Sequence, residues 1–523
     1  MSERLPGAKK RRRATGLRRW PAWWILGLAV VALVWIRLQP TLTGQDRFLR
    51  SALAVVVTLI LLLLWWLLFS RARWTWRLGI PVALGLLVWL VVPRLITVRQ
   101  VTGDLVPVLE WRWASRPDPT DPNAVTGPGA PSSLPGAADF PQFLGPSRNA
   151  TLSGPALARD WQATPPREIW RRPVGTGLSG FAVEGNLAVT QEQHGAEERV
   201  VAYDLATGEL RWSHSDLGRY DSTVAGVGPR ATPTIHAGKV YTQGSLGRLN
   251  ALDLETGEVL WSHDVPAEQG ASQPPWGRSA SPLAMDGLVV IPAGGEGHSL
   301  VAYDAETGEE RWTGGDDQVG YASPLVTTLD GERQIVIFNQ SSVAGHDPDT
   351  GELLWSYPWS DQQPNVSQPV PLPGDRLLVS SGYGVGAELL EIEKDREGVL
   401  RPQRIWKSPR LKAKFTNVVV YENHVYGLDD GVLVCLDPQT GKRCWKRGRY
   451  GHGQVLLVGD LLLVQAEDGE VVLIEPNPEE LRELARLPAL GSKTWNSPTL
   501  AGRYLLVRND REAVAYELPV TGS

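Results

Sequence analysis

The chain has 523 residues and a net charge of −5 that is unevenly laid out: residues 1–116 carry +14, which leaves −19 for the rest. So long a chain exceeds one ordinary core, and its acidic C-terminal three quarters exclude a nucleic-acid surface, which needs clustered cations to displace counterions. Two Cys and eight His, none at C-x-x-C or H-x-x-x-H spacing, exclude a structural zinc site or a haem attached through C-x-x-C-H.

Residues 1–19 hold eight Lys/Arg against one Glu and run directly into an apolar stretch, as a cytoplasmic tail does under the positive-inside rule. Apolar segments follow at 20–36, 52–69 and 78–92, each near the length of a membrane-spanning helix, with Trp gathered near their ends. Three Arg within 71–77 put that loop on the cytoplasmic side with the N-terminus, although Arg37, Arg47 and Arg50 in the preceding loop run against this. Three spans then place everything beyond about residue 97 across the membrane. The expected location is a bacterial inner membrane, multi-pass, with the C-terminal domain periplasmic. No span has an ionisable residue near its middle, so the helices read as an anchor in the lipid bilayer, not an ion pathway. Residues 98–113 are strand-like, and 114–139, with six Pro among Gly, Ala and Ser, read as a linker. The expected domains are therefore 1–19, 20–98, 99–139 and 140–523.

An eleven-residue pattern then recurs. AYDLATGELRW ends at Trp212, ALDLETGEVLW at Trp261, AYDAETGEERW at Trp312, GHDPDTGELLW at Trp355 and CLDPQTGKRCW at Trp445. The Asp accepts from turn N–H groups, and Gly208, Gly257, Gly308, Gly351 and Gly441 supply a positive φ. Each copy is an outer β-hairpin, and its recurrence marks the blades of a β-propeller. Inner-strand starts near Gly180, Ala231, Ala280, Ala322, Val366, Thr416, Gln454 and Asn496 give eight blades. Trp170, Trp212, Trp261, Trp312, Trp355, Trp406 and Trp445 mark seven outer strands, with Leu487 as a degenerate eighth. Because Trp170 precedes the first inner strand, its segment completes the last blade and removes the open edge. The expected fold is an all-β eight-bladed propeller preceded by three transmembrane helices, with the Trp packing between blades.

The stretch FPQFLGPSRNA at 140–150, together with the D-x-x-T-G-x-x-x-W copies, resembles the quinoprotein-like, pyrroloquinoline-quinone-repeat propellers over about residues 140–520. That resemblance implies either of two activities. A non-catalytic scaffold for protein partners, similar to the propeller lipoprotein of the outer-membrane β-barrel assembly machinery, needs no cofactor. A membrane-linked dehydrogenase would hold pyrroloquinoline quinone with calcium on the propeller axis. The chain lacks the adjacent Cys pair of those dehydrogenases, and its interblade loops are short.

The segments entering the inner strands place Arg230, Arg278, Tyr321, Asn365, Lys414, His452 and Lys493 near one end of the axis, as channel-mouth residues or as a small-anion or cofactor site. No catalytic or metal-ligating residue is assigned. Cys435 and Cys444 are expected to face each other across the last motif hairpin, either bonded as a disulfide or as two reduced thiols.

Overall fold

The computed structural model describes residues 20–521, except 40, 41, 43, 71 and 115–133. The basic tail and most of the Pro-rich linker lie outside the described residues. The chain divides into two units, Met1–Ala114 and Ser115–Ser523.

In the first unit, helices α1 (Trp20–Leu38), α2 (Gly44–Phe69) and α3 (Trp74–Leu95) are each long and apolar enough to cross a membrane. Most of their Leu and Val side chains are exposed, the arrangement expected of helices that face lipid. Helix α2 starts eight residues before its apolar run, with Asp46 in the first turn, where the helix dipole favours an acid. Arg77 braces its other end, donating to the Leu67 carbonyl, which the helix terminus leaves unpaired, and to the Ser70 and Ala72 carbonyls of the connection. Residues after α3 form a hairpin, Ile96–Val101 with Pro107–Trp111.

The second unit is an eight-bladed propeller. Its first blade is a meander of four antiparallel strands, Ala182–Glu184, Leu187–His194, Glu197–Asp204 and Leu210–Leu217, innermost to outermost. Five further four-stranded sheets follow in chain order, then a seventh blade with one extra inner strand. The eighth joins Thr499–Ala501, Tyr504–Arg508 and Glu512–Glu517 to Arg167–Pro173, so the two ends of the domain close the ring through a shared sheet.

The repeated motif sits at the outer turn of five blades and does two jobs. In the first copy, Asp204 Oδ1 accepts from the N–H groups of Ala206 and Thr207, and the Gly208 N–H returns to the Asp204 carbonyl at 2.8 Å. Gly208 has φ +72°, and the indole of Trp170 from the preceding blade lies flat against it, so close that a Cβ would fall 2.6 Å from the ring. The same ring donates its N–H to Leu205 O at 2.9 Å. Trp212 docks in this way on Leu254 and Gly257, Trp261 on Ala305 and Gly308, Trp312 on Pro348 and Gly351, and Trp406 on Pro438 and Gly441. Each Trp thus plugs into the turn of the next blade.

Two exceptions have one cause. Trp355 faces a fifth blade whose outer strands, Gly386–Lys394 and Leu400–Ser408, form a long hairpin without the motif, and its indole donates to Gln334 of its own blade instead. In the seventh blade the residue at the Trp position, set by the bulge between Leu473 and Ile474, is Ala485 and not Leu487 as the sequence suggested. The eighth blade, being the closure, has no outer turn for a Trp to enter.

The entry segment 140–152 does more than lead into the ring. Phe140 and Val183 of blade one exchange two 2.8 Å backbone hydrogen bonds, and Pro141 O accepts from Ile235 of blade two. Arg148 donates to Ser281 O and Pro282 O of blade three. Ala150 O and Leu152 O accept from Leu457 and Gly459 of blade seven, along which Thr151–Leu152 runs as an added parallel inner strand. A segment touching the inner strands of blades one, two, three and seven must cross the axis. It plugs the channel at the end where the first and second strands of those blades turn.

Candidate functional site

The other end of the axis is bounded by the connections that enter the inner strands, where the sequence placed its site residues. Just below them runs a belt of hydrogen bonds from blade to blade. The N–H of Gly180 donates to Thr232 Oγ1, Thr232 N–H to Ser281 Oγ, and Ser281 N–H to Ser323 Oγ. Ser323 N–H continues to Gln368 Oε1, Gln368 N–H to Asn417 Oδ1, and Asn417 Nδ2 to Gln454 Oε1. Gln454 donates to Trp495 O, and Asn496 closes the circle on Gly177 O and Ser179 O. Every member comes from a different blade, and all but Gly180 bring a polar side chain to a buried position where an unpaired backbone group is costly.

The predicted site residues sit two or three positions before these belt residues, and they separate into two groups. Arg278 and Asn365 are turned into their own loops. Arg278 is buried and donates to Pro292 O, Ala293 O and Ser272 O, and Asn365 Nδ2 donates to Asn339 O, Gln340 O and Ser360 O. The structure gives both an architectural role and does not bring them to the opening.

Arg230, Tyr321, Lys414, His452 and Lys493 do come together, within a collar of aromatic rings. Arg230 holds Gly228 O, Ala225 O and Gly226 O and lies 4.3 Å from the Tyr220 ring centroid. The Tyr220 hydroxyl donates to Pro275 O, beside Trp276, whose ring is 5.4 Å from Tyr321 and 6.1 Å from Tyr383. Lys414 Nζ lies 4.7 Å from the Tyr383 centroid. The next residue, Phe415, contacts His452 at 5.2 Å and Trp495 at 4.7 Å, and Lys493 Nζ sits 3.5 Å over Trp495. The Arg230 charge also acts against the Lys493 ammonium.

Electrostatics at the collar are nearly self-contained. Burial pushes the Lys493 ammonium down to about 8, against the opposing pull of Asp510 and Glu467. Burial likewise lowers Arg230, which Glu198 and the two tyrosines partly offset. Glu467 ties the far side together, accepting from Trp495 Nε1 at 2.8 Å and from the His452 backbone N–H at 3.0 Å. What faces the opening is therefore a set of partly exposed rings backed by engaged cations. Sequence reasoning missed Tyr220, Trp276, Tyr383, Phe415 and Trp495. The signal available was that Trp276 and Trp495 stand outside the repeat's Trp register, in connections that a packing Trp has no reason to occupy.

No cluster of three or more His, Cys, Asp or Glu suited to a metal ion occurs among the described residues.

The last motif hairpin departs from its predicted register. Asp437 pairs with Lys442 and Leu436 faces Arg443, but a bulge between Cys435 and Leu436 sets Cys435 opposite Trp445 and leaves Cys444 as the extra residue. Both cysteines are free, Cys435 buried and Cys444 exposed.

Comparison with known proteins agrees with this architecture. No curated protein matches the sequence. Among solved structures, BamB from Moraxella catarrhalis is 16% identical and covers 68% of this chain and 98% of its own, with a TM-score of 0.48. The quinohemoprotein alcohol dehydrogenase from Comamonas testosteroni is 16% identical over 74% of this chain and 82% of its own, with a TM-score of 0.50, a likeness of fold. Residues 145–275 and 197–447 match the family described as outer membrane protein assembly factor BamB, more than half of the sequence, and the chain belongs to that family.

Proposed function

We propose that this protein is a membrane-anchored, extracytoplasmic propeller that acts as a non-catalytic binding or scaffold module, with protein partners docking at the aromatic collar. It would sit in a bacterial inner membrane as a three-span protein with its N-terminus cytoplasmic. The observation that carries the reading is the state of the polar groups at the opening. Arg230 is engaged with three carbonyls of its own loop, and Glu467 with the backbone and indole beside it, so the rim presents aromatic rings. Partly exposed Trp and Tyr at a rim are what protein recognition uses, since they bury large area with little loss of side-chain entropy. The family's description as an assembly factor points the same way.

A photo-crosslinking side chain placed at Trp276 in the full-length protein should give discrete adducts in cells. Those adducts should disappear when Tyr383 and Trp495 are changed to Ser. Adducts that persist unchanged would move the docking site off the collar.

A second reading, a quinone-dependent dehydrogenase, is favoured by one feature: clustered aromatic rings with cations over them at one end of the propeller axis. Titration of the detergent-solubilised full-length chain with pyrroloquinoline quinone and calcium, followed by Trp fluorescence, separates the two. The scaffold reading expects no saturable quenching at micromolar quinone. Saturable, calcium-dependent quenching lost in Lys414→Ala plus Arg230→Ala would replace it with the dehydrogenase.

A further inference from the structure

Every motif hairpin bulges at the same place. The residue paired with the Trp is Ala202, Ala251, Ala302, Gly345 or Cys435, and the bulged residue just before the Trp is Arg211, Leu260, Arg311, Leu354 or Cys444. A bulge sets two residues of one strand against a single residue of the other. Only in the sixth blade are the single residue and one of the two opposing it both cysteine. Cys444 adjoins the Trp445 that pairs with Cys435, and Tyr426 pairs with Cys435 on its other side.

We propose that Cys435 and Cys444 form a redox-active dithiol that closes to an intrachain disulfide. The bulge exchanges the direct cross-strand pair for a diagonal one and keeps Cys444 beside the Cys435–Trp445 pair. Their environments divide the labour. Cys435 is buried, which pushes its thiol up to about 12, whereas Cys444 is exposed on the outermost strand. Cys444 is accordingly the entry thiol. It loses its proton, and the thiolate attacks one sulfur of a disulfide-bearing oxidant and expels the other as a thiolate, leaving a mixed disulfide on Cys444. Cys435 then attacks Cys444 Sγ, releases its own proton, and expels the second oxidant thiolate. The protein loses two electrons and two protons, and one oxidant disulfide becomes two thiols. Trp445 adjoins Cys444, and its indole donates to Asn477 O of blade seven at 2.8 Å, so bond closure fixes the strand that pins the seam between blades six and seven.

The biological half of the proposal rests on the extracytoplasmic placement above, which supplies the oxidising surroundings. The test keeps the two apart. Purified full-length protein in detergent is treated with oxidised glutathione, quenched, and alkylated under denaturing conditions before intact-mass analysis. The expected result is a mass lower by two hydrogens with no alkylation, whereas Cys435→Ala and Cys444→Ala remain monomeric and unbonded within the chain. In the Cys435→Ala protein, Cys444 should stop at a stable glutathione adduct. In the Cys444→Ala protein, the buried Cys435 should stay alkylatable with no adduct. Full alkylation of the wild type after oxidation, a glutathione adduct that never resolves, or bonding only between two chains would overturn the pair. If the disulfide forms in the tube, acid-trapped cells report the compartment. A bonded pair supports both statements, and a reduced pair in cells counts against the placement while leaving the dithiol assignment intact.

Discussion

At the scale of single residues, the motif glycines show why one position can be fixed by two independent demands. Gly257 has φ +72°, where a Cβ is disfavoured, and a Cβ there would lie 2.4 Å from the Trp212 ring. Gly257→Ala combines left-handed strain with overpacking of a buried indole, which together cost roughly 2–4 kcal/mol. The urea midpoint should fall and the Trp emission should shift red as the Trp212 ring is levered out. A loss of only a few tenths would show that the turn relaxes without moving the ring. Trp355→Phe should be milder than Trp312→Phe. Trp312 anchors to a neighbouring blade, whereas Trp355 donates to Gln334 of its own blade. Each substitution removes one indole hydrogen bond, so the expected difference, about 1 kcal/mol, lies in the packing of the Trp312 ring on the Gly351 turn of the next blade. Equal losses would mean that this interblade contact adds nothing.

At the scale of elements, what could be read in the sequence divides along a physical line. The Asp, Thr, Gly and Trp of the outer turns lie in fixed register because one local geometry demands all four, and five copies of it revealed the blades. The inner belt left no such trace. Thr232, Ser281, Ser323, Gln368, Asn417 and Gln454 do one job with four residue types, because any side-chain oxygen of suitable reach accepts the neighbouring N–H, while Asn496 closes the belt as a donor. The collar was half legible for a related reason. Its cations were found by their position ahead of the inner strands, but whether each turned toward the axis, as Lys414 does, or into its loop, as Arg278 does, depends on carbonyls contributed by distant sequence. The closure between blades one and eight depends on pH in a way only the fold reveals. Glu192 is fully buried, which by itself raises its pKa, but hydrogen bonds from His194 and Tyr203 and the charge of Arg508 outweigh burial and hold it below the usual carboxylate value. A folded pKa below the unfolded one contributes stability above the unfolded value and loses it as pH falls through the folded one. Wild type should therefore lose stability on acidification more steeply than Glu192→Gln, seen as converging urea midpoints below about pH 4. Parallel pH profiles would show that Glu192 does not contribute to the acid response.

At the scale of the whole molecule, the axial plug turns a ring open at both ends into a cup with a single mouth, and Arg148 is the residue that holds the plug across the axis. Its guanidinium is buried and donates to Ser281 O and Pro282 O at 2.9 Å and to Gln142 Oε1 at 3.0 Å. Ser281 is also a belt residue, so plug and belt meet at one backbone position. Burying a guanidinium is itself costly, which tempers the gain from its hydrogen bonds. Arg148→Met keeps much of the stem but leaves buried carbonyls without donors, for an expected net loss of about 1–3 kcal/mol. The informative readout is where protection from hydrogen exchange is lost. The Leu457 and Gly459 amides donate to Ala150 O and Leu152 O within the plug, whereas the Gly208 and Gly257 amides belong to outer turns. If the plug is a separable stopper, Arg148→Met should speed exchange at the first pair and leave the second pair unchanged, because local opening exposes only the amides it covers. If both pairs accelerate together, the segment is part of the cooperative ring, and the single mouth is a property of the folded propeller that no local event can undo.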